Sequence, residues 1–154
     1  MGVTFAGQGR EDRLTLVRGG PAAEFTVTVV NGDTRAYAHI RTVISMESLP
    51  GAPNGGPQQG FVLEAFDAVS GTWRQAPIRI AQDVLPPSLV VAGTPLALDE
   101  TRIERYRIRA TATGPVGSTP LVVDLVNTDA PDSAMLTSEA RPAHVAIPHT
   151  TRKA

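Results

Sequence analysis

Three histidines, His39, His144 and His149, are the first residues to test for chemistry. A zinc site needs about four ligands that converge, drawn from Cys, His and carboxylates. The chain has no cysteine, and His144 and His149 stand in a proline-containing stretch without an acidic neighbour. Solvated histidines are the plainer reading, and no metal site is expected. "DLVNTDAPD" (124–132) supplies Asp124, Asn127, Asp129 and Asp132. Calcium loops use closely spaced oxygen donors, but this spacing lacks a regular D-x-D-x-D repeat and Asp124 falls inside a strand pattern. Turn formation by Asx side chains explains the cluster better.

Nucleophilic and phosphate chemistry find equally little support. No G-x-S-x-G elbow occurs; "VSGTW" and "VGSTP" do not fit it. Glu64, Asp67 and Glu104 could pair as glycosidase carboxylates, yet any β domain of this size exposes such residues. "GAPNGG" lacks the lysine and following helix of a phosphate-binding loop. No catalytic residue and no cofactor are therefore assigned. The binding candidates are of another kind. Arg105, Arg107 and Arg109 recur at alternate positions and form a row that either attracts anions or is neutralised across a sheet by residues such as Glu64, Glu104 or Asp124. Trp73, the single tryptophan, could stack on a sugar ring beside Tyr37 or Tyr106. A lone indole after a hairpin turn more often covers a small core, and a core or semi-core place is the preferred reading. Asn54, Gln58 and Gln59 sit in "LPGAPNGGPQQG" (49–60), a loop that either contacts a partner or is a tolerated insertion.

These groups must be positioned by strands. In "EFTVTVVNGD" (24–33), Phe25, Val27 and Val29 share one parity and Glu24, Thr26 and Thr28 the other, the period of a half-buried strand. Asn31-Gly32 follows, a pair that tolerates positive φ and ends the strand. Segment 36–48 is a long strand with Ala36, Ala38, Ile40, Thr42, Ile44 and Met46 on one face and Tyr37, His39, Arg41, Ser45 and Glu47 on the wetter one. Segments 61–67 and 72–80 read as the arms of a hairpin turned at Ser70-Gly71. Segments 13–20, 102–112 and 119–129 supply further strands, and 88–99 splits into two short apolar runs around Gly-Thr-Pro. With about seven or eight strands, no convincing helix and no crossover helix for parallel pairing, the pattern predicts an all-β antiparallel sandwich. A closed barrel stays open as the alternative. Residues 1–130 are assigned to the domain. Residues 131–154, which lose periodicity and gather Pro131, Pro142 and Pro148, are assigned to a C-terminal tail or extension.

Composition narrows the partners. The 154 residues suffice for one cored domain. A net charge of -1 argues against nucleic acid, which calls for a basic footprint. No apolar run reaches 18 residues, so no membrane-spanning helix is expected. Met1-Gly2 is followed by no basic and apolar leader, so the chain is expected to be a mature fragment or a protein not exported by that route.

"GGPAAEFTVTVVNGDTRAYAHIRTVISM", then "FVLEAFDAVSGTW", then "AGTPLALD" before a charged strand, resembles the immunoglobulin-like domains of actinobacterial secreted and cell-wall proteins, over roughly residues 13–126. Arginine as 13 of the 14 basic residues fits a GC-rich source of that kind. The resemblance implies an immunoglobulin-like sandwich with a non-catalytic structural or adhesive role, acting through surface or loop contacts outside the cell. Its partner would be a protein or a second copy in preference to a glycan. The alternatives are a carbohydrate-binding accessory module and a virion decoration or tail protein. Without cysteine, such a core forgoes the inter-sheet bridge, a contribution of about 2–4 kcal/mol.

Overall fold

The alternating stretch at 24–30 forms strand β3 (Ala23–Val30), with Phe25, Val27 and Val29 buried as its period demands. It belongs to a computed structural model that describes residues 1–8, 11–49, 60–81 and 83–154. Beside β3 lie β1 (Gly2–Gly7) and β9 (Thr101–Ala110), and the sheet continues through β5 (Phe61–Asp67) to β6 (Thr72–Ala76) in the order β1-β3-β9-β5-β6. Every pairing in it is antiparallel. Phe5, Phe25 and Tyr106 stack in a row across its inner face, with centroids 4.9 and 5.4 Å apart.

A second sheet faces it. β4 (Tyr37–Met46) lies between β11 (Leu121–Asn127) on one side and two short strands on the other, β7 (Arg79–Ile80) and β8 (Thr94–Leu96). β12 (Ala143–Ile147) lines the far side of β11. A third, smaller sheet joins β10 (Gly117–Ser118), β13 (His149–Arg152) and β2 (Leu14–Val17). Ile40, Leu96, Leu121, Val123 and Leu125 of the second sheet meet Val27, Val29, Leu63 and Ile108 of the first in one aliphatic core, which Leu14 and Leu16 of the third also join. Among the described residues there are thirteen strands, eight of them five residues or longer, and no α-helix. None of these sheets closes on itself, so the architecture is an all-β, predominantly antiparallel, immunoglobulin-like sandwich.

Several expectations need correction. Residues 131–154 are not a loose tail. β12 pairs with β11 from Leu121↔Ile147 to Leu125↔Ala143, and β13 pairs with β2. Their inward positions are Ile147, His149 and Thr151, two of them polar, so no hydrophobic period marks them. β1 was not anticipated either; it is short and bounded by Gly2 and Gly7. Two pairings are parallel, β13 with β2 and β4 with β7. Between β4 and β7 the crossover is made by the β5–β6 hairpin of the opposite sheet, so no helix is needed. The second arm of that hairpin correspondingly ends at Ala76, and the chain changes sheets before Arg79. A register irregularity between Tyr37 and Ile40 turns Tyr37 inward and leaves Ala38 exposed, the reverse of strict alternation. The Gly-Thr-Pro break is itself edge strand β8, where Pro95 is tolerated. Asn31 and Gly32 do not use positive φ. Asn31 instead ends β3 through a buried side chain whose Nδ2 donates to the carbonyls of Arg35 and Ala97, both at 3.0 Å.

Candidate functional site

The β5–β6 hairpin turns as its sequence requires. Gly71 adopts φ +69 and its N–H donates to the Asp67 carbonyl at 2.8 Å, while Asp67 Oδ1 accepts the Val69 N–H. This register sets Phe66 opposite Trp73 on the outer face of the first sheet, edge to face with centroids 5.4 Å apart. β9 then brings its arginines alongside. The Arg107 guanidinium lies 4.5 Å from the Trp73 centroid and its Nε donates to Glu64 Oε1 at 2.9 Å. Arg105 lies 4.5 Å from the Phe66 centroid and 5.5 Å from that of Trp73, with Glu24 at 3.6 Å.

Three of the sequence candidates, Trp73, Arg105 and Arg107, therefore converge on one platform. Each guanidinium has both an aromatic face and a carboxylate, an arrangement worth about 0.5–1 kcal/mol per stacked pair at an exposed site. Trp73 is half-buried on the outer face and is not part of the core, and Arg107 occupies one face of its ring. Toward the start of β9 the same face presents Ile103, 66% exposed, beside Val30, 40% exposed. Arg109 is exposed further along, with Val62 as its register partner. Asn54, Gln58 and Gln59 lie outside the described residues.

A second arrangement was not foreseen. A groove of about 490 Å³ opens between the two main sheets, with Ile40, Ile44, Ala65 and Tyr106 among its walls. Its polar lining includes Arg41, Thr42, Arg102, Glu104 and Arg105. Glu104 accepts hydrogen bonds from the Tyr106 hydroxyl at 2.6 Å and the Thr42 hydroxyl at 3.2 Å. Burial and the adjacent Glu104 charge push the Tyr106 phenol well above its ordinary range. Arg102 donates to the Pro95 carbonyl and lies 4.0 Å from both Glu100 and Glu104. The available signal was parity. Arg102 and Glu104 occupy the same alternate positions as Tyr106, Ile108 and Ala110, so charge stands where a core-facing strand calls for hydrocarbon. A smaller recess of about 200 Å³ lies on the outer face of the second sheet, with Asp124 and Arg141 in its lining.

The remaining candidates are dispersed. Asp124 pairs with Arg141 at 2.6 Å, Asp129 with His39 at 2.9 Å, and Asp132 accepts from the backbone and hydroxyl of Ser88. Asn127 Oδ1 accepts the Asp129 N–H at 3.1 Å, an Asx turn as expected. Among the described residues no three His, Asp or Glu side chains gather as metal ligands. His144 is exposed. His149, anticipated as solvated, is buried. Its ring contacts the Thr119 carbonyl at 3.1 Å through Nδ1 and the Thr151 hydroxyl at 2.7 Å through Nε2, and it meets Phe61 edge to face. Burial holds its pKa below the usual imidazole value.

The fold thus defines an immunoglobulin-like β-sandwich with an arginine–aromatic outer face and a polar-lined groove between its sheets. No protein-family model matches the chain, and no curated protein matches it by sequence. Solved structures do. AvmM, described as catalysing macrocyclization in alchivemycin A biosynthesis, superposes with a TM-score of 0.57 at 13% identity, covering 99% of this chain and 88% of its own. A Niemann-Pick type C2 protein from Japanese carpenter ant gives 0.48 at 8% identity, covering 98% and 92%. The PapD-like domain 7 of human CEP192 gives 0.39 at 13%, covering 99% and 84%. At these identities the similarity is one of fold. Among the described residues no helix is long and apolar enough to cross a membrane.

Proposed function

We propose that this chain is a non-catalytic binding module that associates with a second copy of itself through the outer face of its first sheet. The observation that carries the reading is the convergence of Phe66, Trp73, Arg105 and Arg107 next to the exposed Ile103. Tryptophan and arginine dominate interface hot spots, and an apolar centre with a polar rim is how interfaces are built. The face also carries both signs, Glu24 with Arg105 and Glu64 with Arg107, so it can complement itself about a two-fold axis. The platform acts through contact alone, since its Arg105 and Arg107 guanidinium groups are engaged with rings and carboxylates of the same face. The extracellular or cell-surface setting implied by the sequence resemblance, with a virion as the alternative, belongs to the same proposal.

Light scattering across protein concentration tests it. A discrete dimer is expected, and Ile103→Asp and Trp73→Ala should each return it to monomer. A wild-type monomer at every concentration up to the millimolar range, or an oligomer indifferent to Ile103→Asp, overturns the proposal.

A further inference from the structure

The groove carries a separate inference. The inward row of β4 reads Ile40, Thr42, Ile44, Met46, and the inward row of β9 opens with Arg102, Glu104, Tyr106. These rows face one another and turn polar at the same level, joined by the Thr42–Glu104 hydrogen bond across 62 residues of sequence. A core selected for stability alone would be filled with aliphatic side chains there, because a half-buried charged network costs desolvation that hydrocarbon does not.

Two features give the groove access and polarity. β8 pairs with β4 at Tyr37 and Ile40, and β7 pairs with it at Ser45 and Met46. Between them, from Arg41 to Ile44, β4 has no strand on that side among the described residues, and Arg41, Thr42 and Ile44 of this stretch line the groove. Its volume of about 490 Å³ falls within the range of small-molecule sites. Three arginines line it against one glutamate, in a chain whose overall charge is -1. Arg102 and Arg105 already have carboxylate partners. The Arg41 side chain, in contrast to its backbone in the β4–β11 ladder, makes no ion pair or hydrogen bond among the described residues.

We propose that this groove binds a small amphipathic carboxylic acid, its hydrocarbon between the sheets against Ile40, Ile44 and Ala65 and its carboxylate on the Arg41 guanidinium. The free guanidinium selects the charge, and the walls from both sheets select an apolar body over a sugar or a nucleotide.

Titration calorimetry on the full chain with decanoate, decan-1-ol and decyltrimethylammonium separates the contributions. Saturable one-to-one binding of decanoate is expected, with decanol weaker by about tenfold or more, the value of a charge-assisted hydrogen bond. The ammonium amphiphile should not bind. Arg41→Gln should bring decanoate down to the level of decanol and leave decanol unchanged. Ala65→Trp, which fills the groove, should abolish both; should it fail to fold, the Arg41→Gln comparison decides alone. Equal binding of all three amphiphiles, no saturable heat with decanoate, or an Arg41→Gln variant with wild-type preference would overturn the proposal. Dimerisation is read independently by light scattering, so failure of one proposal is distinguishable from failure of the other.

Discussion

Ile147→Ala separates a C-terminal segment that is part of the core from one that merely trails off it. Ile147 is 5% exposed and stands opposite Leu121, which is fully buried. Three carbons leave the core, a transfer loss of roughly 2.4 kcal/mol at about 0.8 kcal/mol for each methylene. The cavity left between β12 and the facing sheet adds to this, so the expected cost is about 2.5–4 kcal/mol. That is a large fraction of the roughly 5–15 kcal/mol by which a domain is stable. With a urea slope near 2 kcal/mol/M, the unfolding midpoint should fall by about 1–2 M at unchanged slope. Equilibrium urea unfolding followed by Trp73 fluorescence measures it. Val69→Ala, at a position 98% exposed on the β5–β6 turn, is the control and should stay within about 0.5 kcal/mol of wild type. An Ile147→Ala loss no larger than the control would refute the assignment of 143–152 to the sheets.

His149 should titrate below the ordinary imidazole value of 6.5, because its buried ring loses more as a cation than the Thr119 carbonyl returns. Below pH 6.5 the unfolded chain then takes up a proton that the native state refuses. This contribution to stability is intact above 6.5, declines as pH falls through that value and is gone below the native pKa; an NMR titration placing the His149 pKa at or above 6.5 would contradict it. Asn31→Ala removes the side-chain donor to the carbonyls of Arg35 and Ala97, the latter keeping only the Glu100 N–H, and should cost about 1–2 kcal/mol in urea unfolding. Asn31→Asp should be no milder, since it loses the same donors. Gly93→Ala would place a Cβ 2.3 Å from the Ile40 carbonyl carbon, so β8 must move off β4. About 1–3 kcal/mol of destabilisation is expected, read as a lowered thermal midpoint, and a neutral result would mean the two backbones are not in close approach.

The strands that could be read from the sequence are those whose inward row is hydrocarbon. Phe25, Val27 and Val29 in β3, or Tyr106, Ile108 and Ala110 in β9, announce their period because burial and apolarity coincide. β13 alternates just as strictly, but its buried row is His149 and Thr151, satisfied by hydrogen bonds to each other and to Thr119. A polar row paired in this way is invisible to hydropathy, which is why the C-terminal strands looked like a tail. The outer platform was half legible for a related reason. Local alternation put Arg105 and Arg107 on one face, whereas their meeting with Trp73 depends on β5 lying between β9 and β6, a long-range pairing that no local pattern encodes. The groove was the least legible. Its parts, Thr42, Arg102 and Glu104, stand in plain view at core-facing positions, and each alone reads as an imperfection in an otherwise apolar row. Only the folding of β4 across β9 turns the separate imperfections into one polar site. Inward-facing charge in a strand is therefore the signal to follow in such a sequence, since a protein that keeps it must either neutralise it against a partner of its own or hold it ready for a ligand. At Glu104 the first has happened, and Arg102, whose nearest carboxylates lie 4.0 Å away, stands beside it; Arg41, on the alternate row of β4 and also lining the groove, is where a ligand's charge can be tested.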